Sequence, residues 1–222
     1  MTQTRRLPLV FIGVVGAIAL LLLGAAGGML LVSPAQDSAQ QQAGPNQVDI
    51  GFSQDMSLHH QQAVTMATLA REHGSTVDVR QLAFDIETNQ RDQIGRMQGW
   101  LSMWNQPAHA SGPLMQWMKS GDDHGQHATM PMTDGPLMPG MATSEEMSRL
   151  QSLRGEEFDV FFLQLMLRHH QGGVPMAKAG AARAASPAVR ALAENMLGSQ
   201  GNEMKLMTTM LDKRGAKPLP MN

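Results

Sequence analysis

DIGFSQDMSLHHQQAVTM, residues 49–66, and DVFFLQLMLRHHQGGVPM, residues 159–176, are two copies of one pattern. Each copy begins with Asp, carries Phe, Met and then His-His-Gln at the same spacing, and ends with Met. The constant shift that takes residue 49 to residue 159 continues without a gap as far as Leu101 and Leu211. One frame held over such a length indicates an internal duplication.

Each copy predicts two helices. The first helices are expected over about 49–73 and 156–184, and the second begin near Ser75 and at Ser186-Pro187, a serine N-cap followed by proline. The second helices carry stripes at spacings of three and four, which mark one helical face. A single hairpin buries such a stripe poorly, whereas two hairpins bury it well. The fold predicted is therefore all-α, a ferritin-like four-helix bundle made of two duplicated hairpins, residues 48–104 and 143–214.

A short additional helix is predicted at the start of the second copy. Thr143 and Glu146 have the spacing of a capping box, and the helix is expected to end near Gly155.

The composition excludes several classes of protein. The chain has no cysteine, which rules out a disulfide scaffold and thiolate metal ligands. Its net charge is −2 with scattered basic residues, so no nucleic-acid partner is expected. Methionine is abundant, at 20 of 222 residues.

The amino terminus predicts a membrane anchor. Residues 7–32 are apolar and follow Arg5 and Arg6, so a signal anchor is expected to cross the cell membrane once. Residues 1–6 then form a cytoplasmic tip and 33–47 a flexible spacer, and the rest of the chain up to the tail 215–222 lies outside the cytoplasm. Secretion after cleavage of a signal peptide is the alternative.

The repeated first helices carry the candidate metal ligands. On a helical wheel the Phe, Met and His residues of each copy fall within an arc of roughly 120° that faces the bundle interior. Imidazole and thioether together suit copper, and thioether favours Cu(I), with Cu(II) also possible. The predicted ligands are His59, His60, His169, His170, Met56, Met66, Met166 and Met176. The alternative is that the histidines are buried hydrogen-bonding residues and the methionines ordinary core.

Polar residues interrupt the apolar stripes of the second helices. They are expected to hydrogen-bond the distal nitrogens of the imidazoles, as groups around a metal centre do. The residues are Gln90, Gln93, Gln200 and Glu203.

The insert at residues 105–142 is rich in Gly, Pro, Met and His. No hydrophobic period organises it, so its methionines have no evident core to fill. It is predicted to be a secondary, labile metal-capture segment, and the alternative is a disordered linker of biased composition. The candidate ligands there are His109, Met115, Met118, His124, His127, Met130 and Met132, and Met138 and Met141 share the same bias.

These segments resemble the domain of unknown function 305 family. The resemblance rests on residues 48–67 and 155–170 and on the pattern Gln90-x-x-Gln93-Ile94-x-x-Met97-x-x-Trp100-Leu101. It implies a secreted or anchored helical bundle, with copper binding or resistance in some similar proteins. This chain departs from its own repeat at Gly172-Gly173-Val174-Pro175, where proline predicts a kink that redirects Met176.

The function predicted is extracytoplasmic copper sequestration or buffering without catalysis. No Glu-x-x-His, His-Glu-x-x-His, phosphate loop or nucleophile elbow occurs in the sequence. A structural or interaction bundle that docks a membrane partner is the second hypothesis, and a redox enzyme with an open metal position is the third. The sequence identifies no protein partner.

Overall fold

The computed structural model describes residues 44–119 and 136–222. Within these residues the regular secondary structure is helical, and the only pairing of strand type is an isolated bridge between Gly74 and Gly155. The predicted all-α fold is confirmed. The helices are α1 (Gln47–His73), α2 (Val77–Met103), a 3-10 helix (Gln116–Met118), α3 (Ser144–Ser152), α4 (Gly155–Arg183) and α5 (Pro187–Asp212).

The four long helices form two hairpins, α1–α2 and α4–α5, which pack together through α1 and α4. Residues 44–119 and 136–222 belong to one compact unit. None of the helices in 44–119 and 136–222 is long and apolar enough to span a membrane, and the predicted anchor, 7–32, lies outside the described residues.

Local sequence sets the helix ends. The predicted capping box of Thr143 and Glu146 is confirmed, although α3 ends at Ser152, before the predicted Gly155. Ser186 is the N-cap of α5 and Pro187 its first residue, as predicted. α2 begins at Val77, two residues after the predicted Ser75, and Thr76 is its N-cap.

Two buried aspartates join the hairpins and explain why each copy begins with Asp. Asp49 accepts hydrogen bonds from the backbone N–H groups of Ala185 and Ser186, both at 3.0 Å. Asp159 accepts from the backbone N–H of Ser75 at 2.8 Å and from its hydroxyl at 2.7 Å. The start of α1 therefore meets the end of α4, and the start of α4 meets the end of α1, so the two helices run antiparallel.

The core consists of two hydrophobic clusters. One contains Phe158, Phe162, Met66 and Met166, and the other contains Phe52 and the remaining ligand candidates Met56 and Met176. α4 runs unbroken through Pro175, and Met176 is fully buried like Met66. Met97, Met196, Met207 and Met210 are also core residues.

The expectation that methionines of the insert have no core to fill is wrong for both of its described ends. Met138 and Met141 are buried in the cluster around Phe52, and Met115 and Met118 at the other end pack against it, partly buried. Between them, Trp117 packs edge-on against the Phe52 ring with centroids 5.8 Å apart. The reason is non-local: Gly51 and Gly172 lack side chains where Trp117 and the Pro139 backbone approach them. No hydrophobic period within the insert could show this.

Candidate metal centre

The four repeated histidines meet between α1 and α4. His59, His60, His169 and His170 are 2%, 0%, 1% and 0% exposed. The rings of His59 and His169 lie against each other, with centroids 3.8 Å apart and planes tilted by 39°. This cluster, the histidine layer, lies in the interior that the helical wheel predicts.

Each imidazole uses its Nε2 atom to contact an oxygen of the protein. The Nε2 of His59 lies 3.3 Å from the carbonyl oxygen of Pro139, and that of His169 lies 3.0 Å from the carbonyl oxygen of His59. The Nε2 of His60 lies 2.7 Å from Oε1 of Gln93, and that of His170 lies 2.6 Å from Oε2 of Glu203.

These contacts assign the donating nitrogen of all four rings. A carbonyl, an amide oxygen and a carboxylate can only accept, so each imidazole donates from Nε2. The Gln93 amide is oriented for this role because its nitrogen donates to Oδ1 of Asn89 at 3.2 Å. A neutral imidazole that carries its proton on Nε2 presents an unprotonated lone pair at Nδ1.

Two of the Nδ1 atoms are buried without a partner. The Nδ1 atoms of His60 and His170 have no hydrogen bond with any of the described residues. An unsatisfied buried polar atom costs about 1–3 kcal/mol, so its retention at both equivalent positions needs an explanation. A bound metal ion supplies one, because Nδ1 is a metal-binding atom of neutral histidine.

Burial keeps the imidazoles of His59, His60 and His169 neutral. Desolvation lowers the pKa of His59 to about 4 and that of His60 to about 3, and neighbouring histidines add to the effect. Desolvation also holds the pKa of His169 well below its ordinary value. Protons therefore do not compete for these nitrogens at neutral pH.

The predicted methionine ligands flank the histidine layer. Met56 and Met176 lie in the cluster around Phe52, Met66 and Met166 lie in the cluster around Phe158, and all four are fully buried. In residues 44–119 and 136–222, no three His, Asp or Glu side chains are arranged to hold a metal ion. Imidazole and thioether side chains thus occupy the same interior, and together these donors suit copper.

The four polar residues of α2 and α5 do not all contact imidazole nitrogen. Gln93 and Glu203 bond His60 and His170 as described above. Gln90 is buried, and its side-chain oxygen and nitrogen have no hydrogen-bond partner among the described residues, so the predicted bond to an imidazole is absent there. Gln200 lies beside Gly173, where an added Cβ would be 3.5 Å from its Oε1 and 3.4 Å from Cε1 of His59.

The candidate ligands of the insert are separated in the structure. His109 is exposed, whereas Met115 and Met118 are half-buried against the cluster around Phe52. Asp55 holds this segment, because the backbone N–H of Met115 and the indole N–H of Trp117 donate to its Oδ2. His124, His127, Met130 and Met132 lie outside the described residues.

Sequence reasoning missed the strap, residues 136–142, which covers one side of the histidine layer. Its Pro139 carbonyl accepts from His59, and its Ala142 backbone exchanges two hydrogen bonds with the Gln62 side chain at 2.7 and 2.8 Å. A Cβ at Gly172 would lie 2.0 Å from the Pro139 carbonyl oxygen. The signal was Gly172 itself, which stands where the first copy has Gln62.

Comparisons with known proteins give the family of the chain. No curated protein matches it. A solved DUF305 structure from Streptomyces coelicolor is 42% identical, with a TM-score of 0.68, and the match covers 78% of this chain and 97% of that one. A DUF305 fragment from Deinococcus radiodurans is 30% identical, with a TM-score of 0.60 and coverage of 77% and 99%.

CopM, solved in a Cu(II)-bound form, is 26% identical, with a TM-score of 0.56 and coverage of 74% of this chain and 96% of that one. Its Cu(I)-bound form aligns at 23% identity and shows the shared fold. The family model described as domain of unknown function (DUF305) matches residues 49–211. The chain belongs to the DUF305 family.

Proposed function

We propose that this chain is an extracytoplasmic copper-binding protein that sequesters or buffers the ion and catalyses no reaction. One observation carries the proposal: four buried imidazoles each donate from Nε2 to a protein oxygen, and the Nδ1 atoms of His60 and His170 are buried with no hydrogen-bond partner among the described residues. A hydrogen-bonded distal nitrogen fixes the orientation of a histidine ligand and strengthens it, which is the usual arrangement around a protein-bound metal.

Copper is favoured over zinc because of the other donors. The chain has no cysteine, and four fully buried methionines lie on either side of the histidine layer. Thioether sulfur is a soft ligand that selects copper, above all Cu(I), whereas zinc prefers thiolate, imidazole and carboxylate. The similarity to CopM, which has been solved with Cu(I) and with Cu(II), supports the same choice of metal.

The proposed location rests on the apolar segment 7–32. We propose that residues 7–32 anchor the chain in the cell membrane and leave the bundle outside the cytoplasm, with secretion after cleavage as the alternative. The related Streptomyces coelicolor protein is described as a candidate secreted protein. We also propose that the insert captures copper weakly through its His and Met residues before the bundle binds it.

Copper titration of residues 36–222 tests the function. Cu(I) is added in the presence of a competing chelator, with Zn(II) as the control metal. The variant with alanine at His59, His60, His169 and His170 is expected to lose tight copper binding. If this variant keeps the affinity and stoichiometry of the parent, the assignment of the site is wrong.

The second candidate is a bundle without metal that docks a membrane partner. It is favoured by the absence, among the described residues, of any three His, Asp or Glu side chains that converge on one point. A ligand that binds only the folded state raises the melting temperature. Copper is therefore expected to raise the melting temperature of a copper-binding protein and to leave that of a metal-free docking bundle unchanged.

A further inference from the structure

The duplicated centre differs between its copies in one electrostatic feature. Gln93 and Glu203 occupy equivalent positions of the repeat and accept from equivalent histidines, His60 and His170. The two Nε2···Oε distances are 2.7 and 2.6 Å, and both rings are fully buried. The geometry is thus conserved between the copies, whereas the acceptor is a neutral amide in one and a carboxylate in the other.

The charge of Glu203 acts mainly on His170. Within 44–119 and 136–222, no arginine or lysine forms an ion pair with Glu203, and His170 is its one charged or ionisable partner. The Glu203 side chain is 16% exposed, so water screens its charge only in part.

A carboxylate and an amide do different things to a ligating imidazole. A carboxylate that accepts the Nε2–H withdraws the proton towards itself, which gives the ring imidazolate character and strengthens electron donation from Nδ1. An amide oxygen does so much less because it carries no net charge. Cu(II) gains more from such a donor than Cu(I), since Cu(I) is satisfied by soft thioether sulfur.

We propose that Glu203 is a specificity-determining residue, which makes the His170 half of the centre the stronger donor and shifts the bound copper towards Cu(II). The proposal rests on the copper-binding function proposed above and deepens it. Gln93 leaves the His60 half neutral and better suited to Cu(I). The two halves of the duplication therefore differ in their preference for the oxidation state of the metal.

Four forms of the full chain in detergent micelles test this: wild type, Glu203→Gln, Gln93→Glu and the double variant that exchanges the two residues. The dissociation constant is measured separately for Cu(II) and for Cu(I), each with a competing chelator, and circular dichroism checks that each form is folded. Both substitutions are nearly isosteric and keep an oxygen that accepts from the imidazole.

Glu203→Gln is expected to weaken Cu(II) binding by about 10–100-fold, the usual effect of removing such a partner. Cu(I) binding is expected to change far less. A tenfold fall in the ratio of Cu(II) to Cu(I) affinity corresponds to a rise of about 59 mV in the midpoint potential, which voltammetry measures independently. Gln93→Glu is expected to move the ratio the other way, and the exchanged double variant to return it towards that of wild type.

Equal losses for both ions in Glu203→Gln would overturn the proposal, because they would show that the residue only holds the ring in place. An exchanged variant that behaves like Glu203→Gln alone would overturn it too. Wild-type protein that binds neither ion would instead overturn the copper function itself, a result that is seen before any variant is compared.

Discussion

Acidification of the metal-free protein from pH 7 to pH 5 is expected to lower its free energy of unfolding. The effect begins at a higher pH than the one at which carboxylates are usually protonated. His59, His60 and His169 are buried as neutral rings, and burial lowers the pKa to about 4 for His59, to about 3 for His60 and well below the ordinary value for His169. In the unfolded chain, histidine has a pKa of about 6.5. Below that pH the unfolded state therefore binds protons that the folded state does not.

The sign and size of the effect follow from linkage. Each histidine contributes stability that is fully present above pH 6.5 and is lost as the pH falls towards the folded-state pKa. Between pH 7 and pH 5 the loss is about 2 kcal/mol for each ring, or roughly 6 kcal/mol for three. The free energy of unfolding of a single domain is typically about 5–15 kcal/mol, so the expected loss is a large share of it.

The measurement is urea unfolding of residues 36–222, without metal, at pH 7, 6 and 5. The range stops at pH 5 because hydrogen bonds and ion pairs from arginine lower the pKa of Glu87 and of Glu146 despite partial burial, and these carboxylates add their own loss of stability at lower pH. His60→Gln removes one titrating ring and should reduce the difference between pH 7 and pH 5 by about 2 kcal/mol. His109→Gln, at an exposed position, is the matched control and should leave the difference unchanged.

A free energy of unfolding that stays constant from pH 7 to pH 5 would refute the reasoning. It would mean that the native rings take up protons as readily as the unfolded chain does. That result is incompatible with three buried neutral imidazoles that carry their proton on Nε2, so the assignment of their Nδ1 atoms as metal-binding lone pairs would fail with it.

Three further predictions concern the strap, the joints between the hairpins and the insert. Gly172→Ala places a Cβ against the Pro139 carbonyl oxygen of the strap and should lower the free energy of unfolding in urea by about 1–3 kcal/mol. Gly198→Ala, on a helix with open space around it, is the control and should raise that free energy by about 0.5–1 kcal/mol. Equal effects of the two substitutions would show that the strap moves aside without cost. Asp159→Ala removes a buried acceptor of three hydrogen bonds and should lower the free energy of unfolding by about 2–4 kcal/mol. The control, Asp85→Ala at an exposed position, should lower it by less than about 0.5 kcal/mol. A loss as small as that of the control would mean that the hydrogen bonds of Asp159 to the other hairpin add no stability. The third prediction concerns four residues of the insert, which are replaced together by serine: His124, His127, Met130 and Met132. The variant should bind fewer copper ions at saturation, counted by native mass spectrometry, and should keep the dissociation constant of the tightest site. An unchanged number of bound ions would contradict the capture role.

Sequence alone was sufficient for the features that repeat. The shared frame of residues 49–66 and 159–176 predicted two hairpins, and the helical wheel placed all four histidines in the interior, where the structure has them. These inferences succeed because helical periodicity and duplication are local signals, readable without knowledge of which segments meet. The capping box at Thr143 belongs to the same class, since both of its hydrogen bonds join residues three apart.

The features that sequence missed are those by which the two copies differ. The strap meets α4 at Gly172, and Trp117 fits against Gly51, but neither contact joins residues close in the chain. Where a loop packs over a helix, the only trace in the sequence is a glycine at the point of contact. Glycine also occurs for other reasons, so this trace does not identify the contact. Pro175 was similarly ambiguous, because a proline can be accommodated where neighbouring packing compensates for the lost backbone hydrogen bond.

Duplication and its exceptions together shape the candidate centre. A symmetric pair of hairpins would give each histidine the same surroundings, with two identical halves and one common affinity. Here His59 is bonded by the strap, whereas its counterpart His169 is bonded by the carbonyl of His59, and a carboxylate replaces an amide beside His170. The copies thus supply the four donors, and the departures from the repeat give each donor a different environment. If the centre binds copper, any difference between its two halves in affinity or in preferred oxidation state must arise from these departures, because the symmetric part of the structure treats both halves alike.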